Sequence, residues 1–175
     1  MGQYYKIIFL ADTQLGQTEL IRMWISPNNY NVSCKIMTHC YVGNALMGAV
    51  EYLLSKNGMF YKSRIVWAGD YATKENNSNA NLYSMAQENG TFQTPPIHNT
   101  TTYKYIVNHS KKLFVSKFNK TDSIHPLPLL VLDKFNNVTN ADYAGKNNHL
   151  GGTWARDVIS VEEHEPLDYV ELKLH

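Results

Sequence analysis

The feature that most limits what this 175-residue chain can fold into is its rhythm. Short apolar runs recur along its length, each stopped by Asn, Gly, Pro or Asp, and one segment alone carries a sustained helical period. The runs Tyr4–Ala11, Glu19–Ser26, Arg64–Trp67, Leu127–Leu132, Val158–Val161 and Tyr169–Leu174 read as strands. Tyr103–Val107 and Leu113–Phe118 read as a hairpin joined through Asn108-His109-Ser110-Lys111-Lys112. In the segment from Ala45 to Lys56, Leu46, Ala49, Val50 and Leu53 fall at i, i+3, i+4 and i+7. Asn44 is its N-cap, Lys56 suits the negative end of the helix dipole, and Asn57-Gly58 is the stop. A shorter helix is expected over Asn81–Glu88, and residues 89–102, with Pro95-Pro96 and a Thr run, read as loop. Asp133 to Thr153 is rich in Asn and Gly. A loop of that length is uncommon inside a compact domain and points to a lid or a binding loop. The expected fold is therefore α+β: a mostly antiparallel sheet, one main helix (about 45–56) packed on it, and a long Asn/Gly-rich loop (133–153), all in a single domain over 1–175.

Charge narrows the partners. Sixteen Lys and Arg face 15 Asp and Glu, and this balance excludes the broad cationic surface that a long nucleic acid needs. The balance is a sum of unlike parts: five Lys and no acid from Lys104 to Lys120, six acids and no Lys or Arg from Asp157 to Glu171. The two stretches either pair across the sheet or make one wall of an anion site. No apolar run approaches the ~18 residues of a membrane span, and Met1-Gly2-Gln3-Tyr4-Tyr5-Lys6 lacks the features of a secretory signal, so a cytoplasmic protein is expected. Seven Asn-x-Ser/Thr sequons then reflect the 18 Asn residues rather than glycosylation. Cys34 and Cys40 are too few for a disulfide framework, and with His39 they lack the spacing of a structural zinc site, so neither metal nor cofactor is expected.

The candidate site residues sit where strands meet loops. In Trp67-Ala68-Gly69-Asp70-Tyr71, Asp70 can accept from a ribose hydroxyl or act as a base and Tyr71 can stack on a nucleobase; the alternative is a turn beside a core Trp67. Trp154-Ala155-Arg156-Asp157 follows Gly151-Gly152. Arg156 offers a planar fork to phosphate, and Asp157 is either part of that site or the arginine's local ion partner. His109 and His125 are general acid or base candidates, against the plainer readings of a solvated turn and a turn fixed by Pro126. The two motifs share Trp-Ala-x-Asp, a weak internal echo. No phosphate-binding loop, Gly-x-Gly-x-x-Gly fingerprint or Gly-x-Ser-x-Gly elbow is present.

Taken together, Met1-Gly2-Gln3-Tyr4-Tyr5-Lys6, Tyr41-Val42-Gly43-Asn44, Arg64-Ile65-Val66-Trp67-Ala68-Gly69-Asp70-Tyr71, Val107-Asn108-His109-Ser110-Lys111-Lys112, Ile124-His125-Pro126-Leu127-Pro128-Leu129-Leu130 and Gly152-Thr153-Trp154-Ala155-Arg156-Asp157 resemble a largely uncharacterised family of small proteins from bacteria, bacteriophages and large DNA viruses. Its members carry a Gly-rich loop before the Thr-Trp-Ala motif, whereas Asn140-Ala141-Asp142-Tyr143-Ala144-Gly145-Lys146 stands here. The resemblance implies an accessory protein of phage or virus type, placed in a host cytoplasm. With Trp67, Tyr71, Trp154 and Arg156, it leads to the expectation of a binding protein for a nucleotide-derived small molecule that sequesters an immune signalling nucleotide. The alternatives are a hydrolase or phosphodiesterase using His109 or His125 with Asp70 or Asp157, and a direct protein inhibitor of a host enzyme. Whether the chain is an enzyme, and whether it self-associates, is left open.

Overall fold

The computed structural model describes residues 3–14, 16–98, 102–118, 123–134 and 143–175. Among these, eight strands form one sheet: β1 (Tyr5–Leu10), β2 (Ile21–Ile25), β3 (Ser63–Gly69), β4 (Thr91–Phe92), β5 (Tyr105–Asn108), β6 (Leu113–Ser116), β7 (Val158–Glu162) and β8 (Val170–Glu171). Their order is β4-β2-β1-β3-β7-β5-β6-β8. Pairing is antiparallel except for the outermost pairs, β2 with β4 and β6 with β8. The helices are α1 (Ile36–His39), α2 (Ala45–Leu54), α3 (Leu82–Asn89) and α4 (Pro126–Leu130).

The continuous apolar run of β1 marks a strand covered on both faces. Tyr5, Ile7 and Phe9 point with Ile65 and Trp67 of β3 into a large core that contains Leu46, Val50 and Leu53 of α2. Ile8 and Leu10 point the other way with Val66 and Ala68, onto Leu82, Met85 and Ala86 of α3. The expectation of one main helix is corrected accordingly: α2 and α3 take opposite faces of the sheet. Asn44 caps α2 by accepting from Met47 N–H at 2.8 Å, and Asn81 caps α3 by accepting from Ser84 N–H at 3.0 Å.

Leu127–Leu132 is the second correction. The run is helical as far as Leu130 because Pro126 sits at the first helical position and His125 caps it, its Nδ1 accepting from Leu127 N–H at 3.2 Å. Val131 and Leu132 then leave the helix and run beside Trp67 as a parallel bridge. The run expected over Tyr169–Leu174 pairs as a strand only at Val170–Glu171, and the short β4 lies inside the segment read as loop. The basic hairpin and the acidic stretch do lie together: β5 pairs with β7, β6 pairs with β8, and Lys111 forms an ion pair with Asp157. Lys117 instead turns into the core. Within the 133–153 segment, residues 135–142 lie outside the described residues, Asp142 among them. Tyr143 is buried and Asn148–Leu150 forms one 3-10 turn. No described helix is long and apolar enough to cross a membrane.

Candidate functional site

The polar residues singled out in the sequence do not meet in one pocket. Asp70 ends β3, where Oδ1 accepts from Tyr4 N–H at 3.0 Å and its carbonyl accepts from Asn81 Nδ2 at 3.0 Å, so it fastens a turn. Tyr71 is exposed beside it. Trp67 and Trp154 are buried in the main core and keep no ring face for a ligand. They also sit in different conformations, a strand and a turn. Asp157 is not the partner of Arg156. Its Oδ2 accepts from Asn108 Nδ2 at 2.8 Å and from Lys111 Nζ.

Arg156 does line a cleft, of about 770 Å³. The cleft exists because β3 changes neighbours. It pairs with β7 only at Ser63 and Arg64. Further along, the Ile65 carbonyl accepts from Arg156 N–H at 2.9 Å, Trp67 N–H donates to Val131 at 2.9 Å, and Asp133 N–H donates to Trp67 at 2.9 Å. Two chain segments therefore enter where the sheet opens, and each carries a charge. The β1–β2 connection closes one wall with Glu19, and the loop after β3 closes another with Lys74 and Glu75. Gly152, at φ +73°, is required there: a Cβ would stand 2.7 Å from the Leu132 carbonyl and 2.8 Å from Lys134 Cε.

Two arginines organise the cleft. Arg64 clamps its rim: Nε donates to the Arg156 carbonyl at 2.9 Å, Nη1 to Ala11 at 3.0 Å, and Nη2 to Glu19 Oε1 at 3.0 Å. Arg156 is held by Glu75 in a two-pronged pair at 2.6 and 2.8 Å, while Asp133 Oδ1 has a longer contact of 3.5 Å. Arg156 adopts φ +69°, a left-handed backbone that a bulky side chain rarely takes and that tends to cluster at functional sites. Burial works against its charge, yet the Glu75 hydrogen bonds and the pull of Asp133, Glu75 and Glu19 outweigh it and raise its pKa. Asp133 is pushed up to about 6, by burial first and by Glu75 beside it, with Arg156 only partly compensating. Glu19 Oε2 and Asp133 Oδ2 are buried with no hydrogen-bond partner among the described residues, a cost of about 1–3 kcal/mol for each such oxygen.

His109 lies elsewhere, on a cleft of about 520 Å³ that Tyr61, Tyr103 and Glu162 also line. Ser160 Oγ donates to Glu162 Oε1 at 2.9 Å, so His109 Nε2–H donates to Ser160 at 2.7 Å and Nδ1 accepts from Tyr169 OH at 3.0 Å. Tyr61 OH completes the row on Glu162 Oε1 at 2.8 Å. Burial, then Lys62, lowers the His109 pKa, with Glu162 opposing. The serine proton goes to a carboxylate and Ser160 is buried, so this row is a satisfied network and not a primed nucleophile.

His125 is fully buried. Its Nδ1 accepts from the backbone, so Nε2–H donates to Glu51 Oε1 at 2.6 Å, and Glu51 Oε2 takes Lys117 Nζ at 3.2 Å. The three side chains form a hydrogen-bonded triad around a buried Lys117–Glu51 ion pair that sequence reading missed, since Glu51 sits on a helix otherwise read from its apolar spacing. His39, weighed as a zinc ligand, is also committed: Nδ1–H donates to the Ser33 carbonyl and Nε2 accepts from Trp67 Nε1–H, both at 2.9 Å. No group of three His, Cys, Asp or Glu suited to a metal occurs among the described residues.

Comparison of the chain with protein-family profiles, with curated proteins and with solved structures finds no match. The site therefore rests on its own geometry. Glu19, Arg64, Glu75 and Asp133 escaped sequence reading because no local spacing links them.

Proposed function

We propose that this chain binds a small, phosphate-bearing, nucleotide-derived molecule in the Arg156 cleft. One observation carries the reading. Lys74 and Lys134 line the cleft without an ion pair among the described residues, in the same space where Glu19 and Asp133 each keep a carboxylate oxygen without a partner. Arg64 and Arg156 are already taken by carboxylates, so the two lysines are the cations left for a phosphate. A hydroxyl or amino group of the ligand supplies the donor that the free Glu19 oxygen lacks. Thr13, Gln14, Thr18 and Asn76 add neutral polar contacts. The volume falls within the roughly 300–1,000 Å³ of small-molecule sites. In a phage or virus setting, such a protein acts by sequestering a signalling nucleotide.

Calorimetry and thermal shift against a panel of mono-, di- and cyclic nucleotides test the reading, followed by heat denaturation and recovery of the ligand. Micromolar binding with intact recovery is expected. Replacing Lys74 and Lys134 together with alanine weakens it by about tenfold or more, since a hydrogen bond to a charged group contributes about 1.5–3 kcal/mol. Binding that survives the double replacement unchanged removes the lysines from the site. Loss of the nucleotide during incubation favours the hydrolase reading, and a co-purifying protein with no small ligand favours the direct inhibitor.

A further inference from the structure

Two carboxylates compete for the one guanidinium of Arg156, and Glu75 takes both of its prongs. Asp133 keeps a longer 3.5 Å contact and a hydrogen bond from the Lys134 backbone N–H, with Glu75 as a like charge on the same guanidinium. Its other oxygen has no hydrogen-bond partner among the described residues. Of the three acids in the lining it is the weakest held, and the charged groups that share the cleft with it among the described residues are Glu75 and Lys74 from the loop after β3, Arg156 from the turn before β7, Glu19 from the β1–β2 connection, Arg64 from β3, and Lys134 next to it in the chain. With Asp133 ionised, three acids oppose four bases in this lining, and protonating it leaves two acids.

We propose that Asp133 is the proton-linked residue of the cleft, so that a phosphodiester anion enters together with a proton on this carboxyl. This inference rests on the ligand reading above and names its class: a nucleotide whose phosphate is a singly charged diester. The coupling is reciprocal, because a bound anion strengthens proton binding at Asp133 as much as the proton strengthens anion binding. Asp133 is already poised near a pKa of about 6, so the competent fraction of the protein rises steeply through that region. The phosphodiester keeps a constant charge there, whereas a monoester titrates near pH 6 itself and would mask the effect.

The probe is 3′,5′-cyclic GMP, titrated calorimetrically at pH values between about 7.5 and 5.5, with a melting curve at each to confirm the fold. Affinity is expected to rise on the order of tenfold as pH falls. Near pH 7, titrations in buffers of different ionisation enthalpy show net proton uptake by the unaltered chain. Asp133→Asn keeps the side-chain volume and the Glu75–Arg156 pair. It is expected to bind at pH 7.5 as tightly as the parent does at low pH, with a flat profile. A parent profile that is flat, or an Asp133→Asn profile as steep as the parent's, overturns the role of Asp133 and leaves the cleft as a ligand site. No binding by either protein at any pH overturns the ligand reading and this inference with it.

Discussion

Replacing Glu51 with alanine is expected to lower the unfolding free energy by about 3–5 kcal/mol. For a chain of this size that corresponds to a fall of roughly 10 °C in melting temperature. Glu51 is 0% exposed, His125 0% and Lys117 2%. The carboxylate is the shared centre, accepting from the imidazole with one oxygen and from the ammonium with the other. Burial lowers the Lys117 pKa and Glu51 pulls it back. Alanine removes the counter-charge and the acceptor of His125 Nε2–H together. Breaking a buried pair by removing one member costs more than the net value of the intact pair. Replacing Glu51 and Lys117 together by leucine and methionine should recover much of the stability, because it removes both members of the buried pair. Urea titrations of the parent, the single and the double variant make the measurement. A single variant within 1 kcal/mol of the parent would remove the triad from the account of stability.

The second large effect is a pH dependence centred on His39. Burial lowers its pKa to about 4, with the Ser33 carbonyl opposing. A proton would have to bind at Nε2, the atom that accepts from Trp67 Nε1–H, and so would set donor against donor. In the unfolded chain the same imidazole takes its proton near 6.5. Between those values the unfolded state holds more protons, so stability is complete above about 6.5 and declines as pH falls toward 4, by about 3 kcal/mol in all. Asp133 acts in the opposite sense. Its folded pKa of about 6 lies above the ordinary 3.8, so it adds stability as pH falls through the same region. The two slopes offset each other in the parent chain and separate in variants. His39→Gln is expected to lose the acid-side decline, so that its stability rises between about pH 6 and 4 while the parent's stays comparatively level. Urea midpoints across that range read the difference. Parallel profiles for parent and variant would assign the acid sensitivity to other groups.

Most of the sheet was legible because strands with both faces covered need near-continuous apolar letters, and Tyr5–Leu10 and Ser63–Gly69 have them. The cap of α2 was legible too, since Asn44 acts on backbone only three residues away, whereas Asn81, read as the first residue of the second helix, turned out to be its cap. Leu127–Leu132 misled for the opposite reason: a run of six apolar residues has no distinguishing period, and the deciding cue was Pro126 beside the capping His125. The acidic stretch 157–171 and the basic hairpin were readable as charge blocks, but not the turn of Lys117 into the core. The candidate site was hardly legible. Arg156 was visible as a phosphate-type residue after two glycines, whereas Glu19, Arg64, Glu75 and Asp133 have unremarkable neighbours.

The sequence by itself determined the α+β composition, the cap of α2 and the near-even balance of charge, because each depends on contacts within a few residues or on a sum over the chain. Only the tertiary structure decided which side chains share a cavity. It buried Trp67, Trp154 and His125, gave Asp157 to Lys111, and closed Arg156 with Glu75 and Asp133. The physical reason is the change of neighbour along β3. Where pairing with β7 stops after Arg64, segments from residues 131–134 and 152–156 take the open edge, and charges distant in sequence meet there.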